Sequence, residues 1–395
     1  MQLAHVSDTH LGYVQYGLED RERDFYESFQ EIIDKILQEH IKLVIHSGDF
    51  FHTPRPSIQA LKVAQDGLLK LKENGVQVIV IPGGHDMLRR KGLPPLSLYE
   101  RFGVKILRRK APYVKFDNTI FIAGMEHIPK IYWSSSHLFE ELMDLAKKAE
   151  TSGCKRKVLV MHQGISPYMM FGSEFAQDQL PKNFDYYAFG HLHKRIKVVF
   201  GNGVLAYPGS TEIVELSEIN EFKKNGKGFY IVDLSGDMPD VQNIDIDCVR
   251  PQEVIEWDND KIDGLVLKVG EYLKSIKDFG KKPVIHLKLY GIPIDRLAIE
   301  KMLIKRFSEK TLKIRVLSMH VQPPSINTEM ISKERLDINQ LLYKMLKDEE
   351  LVFFIGFLLN SLKEGDLESA IRVSEKVFES GSWKRWSDVI KKVKA

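Results

Sequence analysis

The sequence predicts an α/β fold, in which a two-layer β-sandwich flanked by helices precedes a small α+β domain and a C-terminal helical tail. Short apolar runs alternate with amphipathic helical patterns through the first half, which is typical of parallel strands joined by helices. Blocks of Asp and His follow several of these runs, and the pattern changes near Pro251. We therefore expect the chemistry to lie in the first half and accessory roles in the rest.

Composition bounds the class of protein. A chain of 395 residues with 43% hydrophobic and 28% charged residues is typical of two or three globular domains. No apolar stretch approaches the roughly 20 residues that span a bilayer, and the first residues lack a secretory-signal pattern. We therefore expect no membrane contact. Cys154 and Cys248 form no CxxC pair, so we expect the protein to work in a reducing cytoplasm. A net charge of +3 does not by itself indicate nucleic-acid binding.

The first half begins in the order strand, helix, strand, helix, strand. Strands are predicted at residues 3–6, 43–45 and 76–81, with a helix over 21–40. That helix carries an apolar stripe of Phe25, Phe29, Ile32, Ile33, Ile36 and Leu37. Ser57 can cap a second helix that Gly75 ends. The stripe of this second helix comprises Ile58, Leu61, Ala64, Leu68 and Leu71. Further strands are predicted at 120–123, 158–161, 186–189, 204–207 and 229–232.

The sequence divides into four segments. They are a main domain at 1–245, a small α+β domain at 250–322, a linker at 323–332 and a helical segment at 333–395. The small domain shows a helix at 262–276, then a strand at 284–290. A second helix with Ile299, Met302, Leu303 and Phe307 follows, and then a strand at 312–317. Two adjacent prolines mark the linker, because proline continues neither a helix nor a central strand.

The helical tail is rich in Lys and Glu. One apolar stripe comprises Ile338, Leu341, Leu342, Met345 and Leu346. Residues 351–359 are apolar on nearly every face, and a helix that is apolar all round must be buried. The tail either folds on itself as a small bundle or docks on a partner, since a segment this short builds a poor core alone.

Five polar blocks carry the candidate chemistry: D8-T-H10, G48-D49, G83-G84-H85-D86, H162-Q-G and G190-H191-L-H193. Each follows a predicted strand, and strand ends in an α/β fold deliver side chains to one edge of the sheet. Mixed oxygen and nitrogen ligands suit manganese, iron or zinc. A carboxylate that bridges two such ions makes a centre able to stabilise displacement at phosphorus.

These blocks resemble those of the metallophosphoesterases, or calcineurin-like phosphoesterases. Longer motifs resemble the nuclease subunit of the meiotic-recombination-eleven/SbcD type, namely D8-T-H-L-G-Y13, S47-G-D49-F-F-H52-T-P-R55-P, G190-H-L-H-K-R195 and Y207-P-G-S210. The likeness covers residues 1–235 and continues more weakly through the small domain, which it identifies as a DNA-capping domain. The tail resembles the family's ATPase-binding segment only in being helical.

The resemblance implies a centre of two Mn²⁺ ions, with Mg²⁺ possible in part. One ion would be held by Asp8, His10, Asp49 and His193, and the other by Asp49, His162 and His191, with Asp49 bridging. His85 would act as general acid for the leaving oxygen or would stabilise the pentacovalent phosphate. His52 would position the scissile phosphate.

The DNA-contact residues and the remaining histidines are assigned from their positions in the sequence. Lys194 and Arg195 adjoin a metal block and, with Arg55, are assigned to DNA-phosphate contacts. His5 and His46 lie within strands, and His127 has no ligand-spaced partner, so we expect structural roles for these three histidines.

Gly84 departs from the family pattern. The family block is G-N-H-D/E, and its Asn supplies an amide oxygen to the second ion. Glycine has no side chain, so water or substrate would fill that ligand position. The second ion would then bind more weakly in a working enzyme, or the chain would be a weakened nuclease, or a non-catalytic scaffold. Retention of the other ligands argues against a scaffold.

The resemblance implies a manganese-dependent DNA nuclease with single-strand endonuclease and 3′-to-5′ double-strand exonuclease activity. It would be chromosome-associated and would process double- and single-stranded DNA ends in double-strand-break repair, beside a coiled-coil ABC-type ATPase. The alternatives are an enzyme of the same fold acting on small phosphoesters or cyclic nucleotides, and a non-enzymatic adaptor. Family likeness also favours a homodimer whose interface uses helices around residues 57–74 and 93–102.

Overall fold

The computed structural model describes residues 1–87, 93–133, 136–169, 172–258, 262–276, 280–290, 296–320, 342–343, 346–364, 367–381, 383 and 386. The chain divides into two compact units, Met1–Val249 and Arg250–Ala395. The finer boundaries of the small domain and the helical segment stay predictions. The predicted linker at 323–332 lies outside the described residues.

The strands described in the first unit are β1 (Gln2–Val6), β2 (Leu43–His46), β3 (Gln77–Val80), β4 (Lys105–Ile106), β5 (Tyr113–Phe116), β6 (Ile120–Met125), β7 (Arg156–His162), β8 (Ile165–Ser166), β9 (Phe175–Ala176), β10 (Tyr186–Gly190), β11 (Ile196–Phe200), β12 (Gly203–Tyr207), β13 (Gly228–Asp233) and β14 (Asp240–Asp245). One six-stranded sheet has the order β14–β13–β1–β2–β3–β4, with β1 to β4 parallel. The other has the order β11–β12–β10–β7–β6–β5 and is parallel from β12 to β6. The predicted sandwich is confirmed.

The core between the two sheets is apolar and contains side chains from both. The first sheet contributes Leu3, Leu43, Ile45, Ile79 and Val232, and the second contributes Ile122, Val158, Val160, Ala188 and Ala206. These side chains recur at every second position of a strand, because successive side chains of a strand point to opposite faces. A second cluster covers the outer face of the second sheet and includes Leu142 and Leu145.

The helices described in the first unit are α1 (Glu19–Gln38), α2 (Ile58–Glu73), α3 (Lys130–Trp133), α4 (Ser136–Glu150) and α5 (Glu218–Asn225). Short 3₁₀ segments lie at Gln15–Gly17, Pro95–Phe102 and Gln177–Gln179. The stripe predicted on α1 is buried except for half-buried Leu37. Ser57 caps α2 as predicted, since its hydroxyl accepts from the Ala60 amide at 3.1 Å.

The residues of the α2 stripe lie in two different environments. Ala64, Leu68 and Leu71 are buried, but the side chain of Ile58 is 86% exposed. Ile58 is the first residue of the helix, beyond the part that packs on the fold. The apolar spacing alone did not distinguish these two environments.

The second unit contains a three-stranded parallel sheet in the order β15 (Gln252–Trp257), β16 (Val284–Tyr290) and β17 (Lys313–His320). Helices α6 (Ile262–Ser275) and α7 (Arg296–Phe307) alternate with these strands in the chain. The predicted α7 stripe is buried at Ile299, Leu303 and Phe307, whereas Met302 is 37% exposed. Strand β15 was not predicted.

Two further helices, α8 (Glu349–Glu364) and α9 (Leu367–Ser380), follow in the second unit. The expectation that α8 is buried on every face was wrong in part. Leu351 and Val352 are buried, but Phe353 is 42% and Leu359 is 48% exposed. Of the predicted stripe ahead of α8, Ile338, Leu341 and Met345 lie outside the described residues. Among the helices described, none is long and apolar enough to cross a bilayer.

Candidate metal centre

The polar blocks meet at the carboxyl ends of the parallel strands. Two groups of three side chains each bring their ligand atoms within 4.8 Å of one another. One group comprises Asp8, His10 and His193, and the other comprises Asp49, His162 and His191. The groups adjoin, because Nε2 of His162 lies 3.2 Å from Oδ2 of Asp49 and 4.0 Å from Oδ1 of Asp8. All six residues assigned as metal ligands are therefore brought together.

Unusual backbone conformations aim these side chains. The φ angle is +51° at Asp8, +44° at His10, +52° at Asp49 and +91° at His191. Such left-handed residues cost on the order of 1–3 kcal/mol each, so the surroundings must hold them in place. Backbone hydrogen bonds do so: the Asp8 amide donates to the Gly48 carbonyl at 3.0 Å, and the His10 amide donates to the Asp49 carbonyl at 3.1 Å.

Glycine is required where the two sheets approach each other at this edge. Gly48 has a φ of +100°, and a Cβ there would lie 2.3 Å from Nδ1 of His162. A Cβ on Gly190 would lie 2.2 Å from the Ser47 carbonyl oxygen. Any side chain at either position would push the ligand-bearing segments apart.

A second layer of acceptors orients the imidazole rings. Nδ1 of His162 lies 2.7 Å from the Ser47 carbonyl, and Nδ1 of His85 lies 2.7 Å from the His52 carbonyl. A carbonyl oxygen only accepts, so each Nδ1 carries a proton and the hydrogen bond fixes the orientation of each ring. Nδ1 of His193 is held by Oε1 of Glu218 at 2.8 Å.

Glu218 belongs to a buried ion pair that the sequence did not indicate. Its carboxylate is 4% exposed and accepts from the Lys227 ammonium, which is 2% exposed, and from the Ser210 hydroxyl at 2.6 Å. Burial opposes ionisation of Glu218, but Lys227 and His193 lower its pKa to about 2. Glu218 is therefore an anion that fixes the His193 ring from behind.

The electrostatics of the centre favour positive charge. Burial opposes ionisation of Asp49, yet His162, His85 and His10 hold its pKa well below the usual range. Burial disfavours the imidazolium of His162, yet Asp49 and Asp8 raise its pKa to about 9. Within the described residues, the buried Nε2 of His162 has no hydrogen-bond partner, although Asp49 is close. A cation between them would satisfy both groups, so the donor set fits metal ions.

His85 and His52 lie beside the metal groups. The His85 side chain is exposed, and its amide donates to Oδ1 of Asp49 at 2.8 Å. Its ring stacks on that of His52, with centroids 5.0 Å apart, and meets the His10 ring edge-on at 5.0 Å. Tyr13 stacks on the other side of His52 at 3.7 Å. Both histidines are thus at the open edge of the centre, where a substrate would arrive.

The residues assigned to DNA contact differ in their surroundings. Arg55 and Lys194 are exposed. The side chain of Arg195 is only 6% exposed and binds Asp245 at 2.5 Å and the Ile244 carbonyl at 3.1 Å. These contacts hold the Arg195 guanidinium in the fold, whereas the Arg55 and Lys194 side chains are open to solvent.

The structure also places His127 beside the centre. Its ring lies edge-on to the His162 ring at 5.9 Å and tilted against the His191 ring at 5.7 Å. No motif spacing along the chain indicated this, since His127 follows the end of β6 and comes near the other ligands only through folding.

The sandwich and its paired Asp/His groups define a metallophosphoesterase, and the family model described as calcineurin-like phosphoesterase matches residues 1–195. The DNA double-strand break repair protein Mre11 of Methanocaldococcus jannaschii is 40% identical over 310 residues, covering 77% of this chain and 82% of that protein. Its namesakes in Methanococcus maripaludis and Thermoplasma acidophilum are 35% and 32% identical, covering 90% and 95% of this chain and 98% and 97% of theirs. The chain belongs to the Mre11 family and is a phosphodiester hydrolase.

Substitution of Glu218 tests the buried pair behind His193. Glu218→Gln leaves the Lys227 ammonium buried without a counter-ion, so we expect the free energy of unfolding in urea to fall by about 3–5 kcal/mol at pH 7. Glu218→Gln/Lys227→Met should lose less, because it removes both charges. Glu140→Gln, on an exposed face of α4, should change stability by less than about 0.5 kcal/mol. A double variant no more stable than Glu218→Gln would contradict this account.

Proposed function

We propose that this chain is a manganese-dependent DNA nuclease of double-strand-break repair, with single-strand endonuclease and 3′-to-5′ double-strand exonuclease activity. The observation that carries the proposal is the pair of adjoining ligand groups at the sheet edge. Membership of the Mre11 family supports DNA as the substrate. We further propose that the chain works in the cytoplasm in association with the chromosome.

Two ions would share the centre. Asp8, His10, Asp49 and His193 would hold one, and Asp49, His162 and His191 the other, with Mn²⁺ as the preferred metal and Mg²⁺ replacing it in part. When bound, such ions neutralise the charge that develops on the attacking and leaving oxygens at phosphorus. The bridging role of Asp49 is supported by its contacts with both groups, since its Oδ2 lies 3.2 Å from Nε2 of His162 and its charge also interacts with His10.

The histidines at the open edge would handle the substrate. His85 would donate a proton to the leaving oxygen, because its Nδ1 is fixed by the His52 carbonyl and its Nε2 remains for proton exchange. The His52 ring, held between Tyr13 and His85, would position the scissile phosphate. Lys194 and Arg55 would contact neighbouring phosphates.

Two alternatives follow from the same site. A phosphodiesterase for small molecules or cyclic nucleotides would use the same ions but would not need the second unit. A weakened nuclease or a scaffold would follow if Gly84 left the second ion too loosely held. Metal content and nuclease rate of the protein beside Gly84→Asn test the second alternative. If Gly84 weakens the enzyme, the asparagine amide should tighten the second ion and raise the rate of DNA cleavage, whereas a chain that is a scaffold for another reason should stay inactive.

His85→Gln and Asp49→Asn separate chemistry from metal binding. His85→Gln should keep the metal content and lower the rate of Mn²⁺-dependent cleavage of single-stranded DNA by about 10²–10⁴-fold, the usual contribution of a general acid. Asp49→Asn should lose metal and activity together, because it alters the bridge. Rates come from cleavage of labelled oligonucleotides, with a small aryl phosphodiester as the competing substrate. Hydrolysis of the small substrate without DNA cleavage would refute the nuclease proposal.

We propose a homodimer that uses α2 and the 3₁₀ segment Pro95–Phe102. Large apolar side chains are exposed there: Ile58 is 86%, Leu93 is 83% and Leu98 is 57% exposed. Apolar side chains grouped on a surface are typical of protein interfaces.

A charge in this apolar group tests the dimer. Ile58→Asp/Leu98→Asp should convert a dimer into a monomer at micromolar concentration, because burying two carboxylates in an interface is strongly unfavourable. Sedimentation velocity gives the mass. Asn202→Asp, in the exposed turn between β11 and β12, should stay dimeric. A wild-type chain that is monomeric in the same experiment would rule out the dimer.

We propose that residues 250–322 form a DNA-capping domain and that residues 333–395 bind a coiled-coil ABC-type ATPase. Exposed apolar side chains on the last helices support the second role. Ile371 is 52%, Phe378 is 68% and Trp383 is 41% exposed, and the rings of Phe378 and Trp383 stack. A surface of this kind suits an apolar groove or a coiled-coil base.

Phe378→Asp tests the ATPase interface without shortening the chain. It should weaken binding of the cognate coiled-coil ABC-type ATPase by at least about 30-fold, as loss of an aromatic anchor of about 2 kcal/mol requires. Glu375→Ala, an exposed neighbour on α9, should bind within about threefold of wild type. Binding is measured by biolayer interferometry and metal content by mass spectrometry. Loss of metal in Phe378→Asp would show instead that the helix supports the fold of the first unit.

A further inference from the structure

We propose that His127 is an additional protein ligand of the ion held by Asp49, His162 and His191. The inference rests on the two-ion centre of the proposed function and assigns a role to a residue that no motif in the sequence marks. It also changes the meaning of Gly84, because the missing side chain leaves space that another residue fills.

The first support is the arrangement of the rings. The centroids of His162 and His191 are 5.3 Å apart, and His127 lies 5.9 Å from the first and 5.7 Å from the second. The three imidazoles therefore form a nearly equilateral triangle. Two members of this triangle already belong to one ligand group with Asp49.

The second support is the fixed orientation of His127. Its Nδ1 donates to the carbonyl oxygen of His162 at 3.1 Å, so Nδ1 carries a proton and, in the neutral ring, the lone pair is on Nε2. Its amide donates to the Pro82 carbonyl at 3.0 Å, which ties the residue to the loop that carries Gly84. A hydrogen bond from Nδ1 to a backbone carbonyl is the usual support of a metal-binding histidine, and His162 has the same support from Ser47.

The third support is the space at Gly84. A Cβ built on Gly84 would lie 3.4 Å from Cδ2 and 3.7 Å from Nε2 of His127. The edge of the imidazole thus lies where a longer side chain at position 84 would extend. An asparagine introduced at this position would compete with His127 for one place beside the ion, and in this chain glycine leaves that place to the histidine.

Ligation requires a movement of the His127 ring. The ligand atoms that lie within 4.8 Å of one another belong to Asp49, His162 and His191, so Nε2 of His127 must approach them. His127 is half-buried and follows the end of β6, outside the regular strand, where a side chain can rotate without disturbing the sheet.

Metal binding by the full-length protein tests the proposal. Mn²⁺ titration by calorimetry should give two ions for wild type. His127→Ala should keep the tighter ion and weaken the other by about 10–100-fold, the range typical of losing a ligand or its support. His127→Gln, which offers an amide oxygen, should recover part of the loss. His137→Ala removes a histidine from exposed α4 and should match wild type. Circular dichroism confirms that each variant is folded.

A second measurement separates a ligand from a packing role. Co²⁺ bound in place of Mn²⁺ reports its ligands by visible absorption, so His127→Ala should change the bands of the weaker ion alone. Gly84→Asn/His127→Ala should restore two tight ions, because the amide then occupies the shared place. Two ions bound by His127→Ala with wild-type affinity and Co²⁺ spectrum would overturn the proposal.

Asp49→Asn distinguishes failure of this inference from failure of the proposed function. If Asp49→Asn loses metal while His127→Ala binds as wild type, the two-ion centre stands and the role of His127 falls. If wild type binds fewer than two ions, or Asp49→Asn keeps both, the two-ion centre itself is wrong, and the ligand role of His127 falls with it.

Discussion

Two carboxylates buried side by side impose the plan of the whole centre. Asp8 and Asp49 are almost fully buried at the edge where the two sheets meet. Buried anions are tolerated only with positive charge or with several hydrogen-bond donors nearby. The fold supplies a ring of imidazoles around them and amide donors, such as the His85 amide to Asp49 and the His191 amide to Asp8. Metal ions complete this compensation, so the site is built to attract them.

The backbone conformation at the strand ends that carry the two carboxylates follows from the same constraint. To turn Asp8 and Asp49 toward a common point, both strand ends adopt left-handed conformations that regular strands do not use. The two segments are then joined by backbone hydrogen bonds, and Gly48 allows His162 to approach. Behind the rings, the Ser47 carbonyl and Glu218 fix the orientation of the His162 and His193 imidazoles. The rigidity of the centre therefore depends on groups that contact no ligand.

Sequence reasoning predicted the sandwich, most strand positions and the convergence of six ligand residues, because strand periodicity and motif spacing are local signals. It failed where the decisive neighbour is distant in the chain. For Ile58, which is exposed, the stripe left open packing on its own sheet or across a dimer axis, since helix spacing does not say where the packed surface ends. Glu218 lies beyond the motifs and meets His193 only in the folded chain. Arg195 adjoins a metal block, but its guanidinium is bound to Asp245, fifty residues further along the chain.

Gly84 shows the same difference between chain order and space. Along the chain it is a gap in an otherwise complete ligand motif, and a weaker second ion follows from counting motif positions. In the fold, the gap faces an imidazole whose proton is already fixed on Nδ1 by the His162 carbonyl. An ion responds to donors within its reach, whichever segment carries them. Under the proposal, Gly84 leaves open the place beside the ion that His127 occupies, so the effect of a substitution at either position on metal affinity depends on the residue at the other.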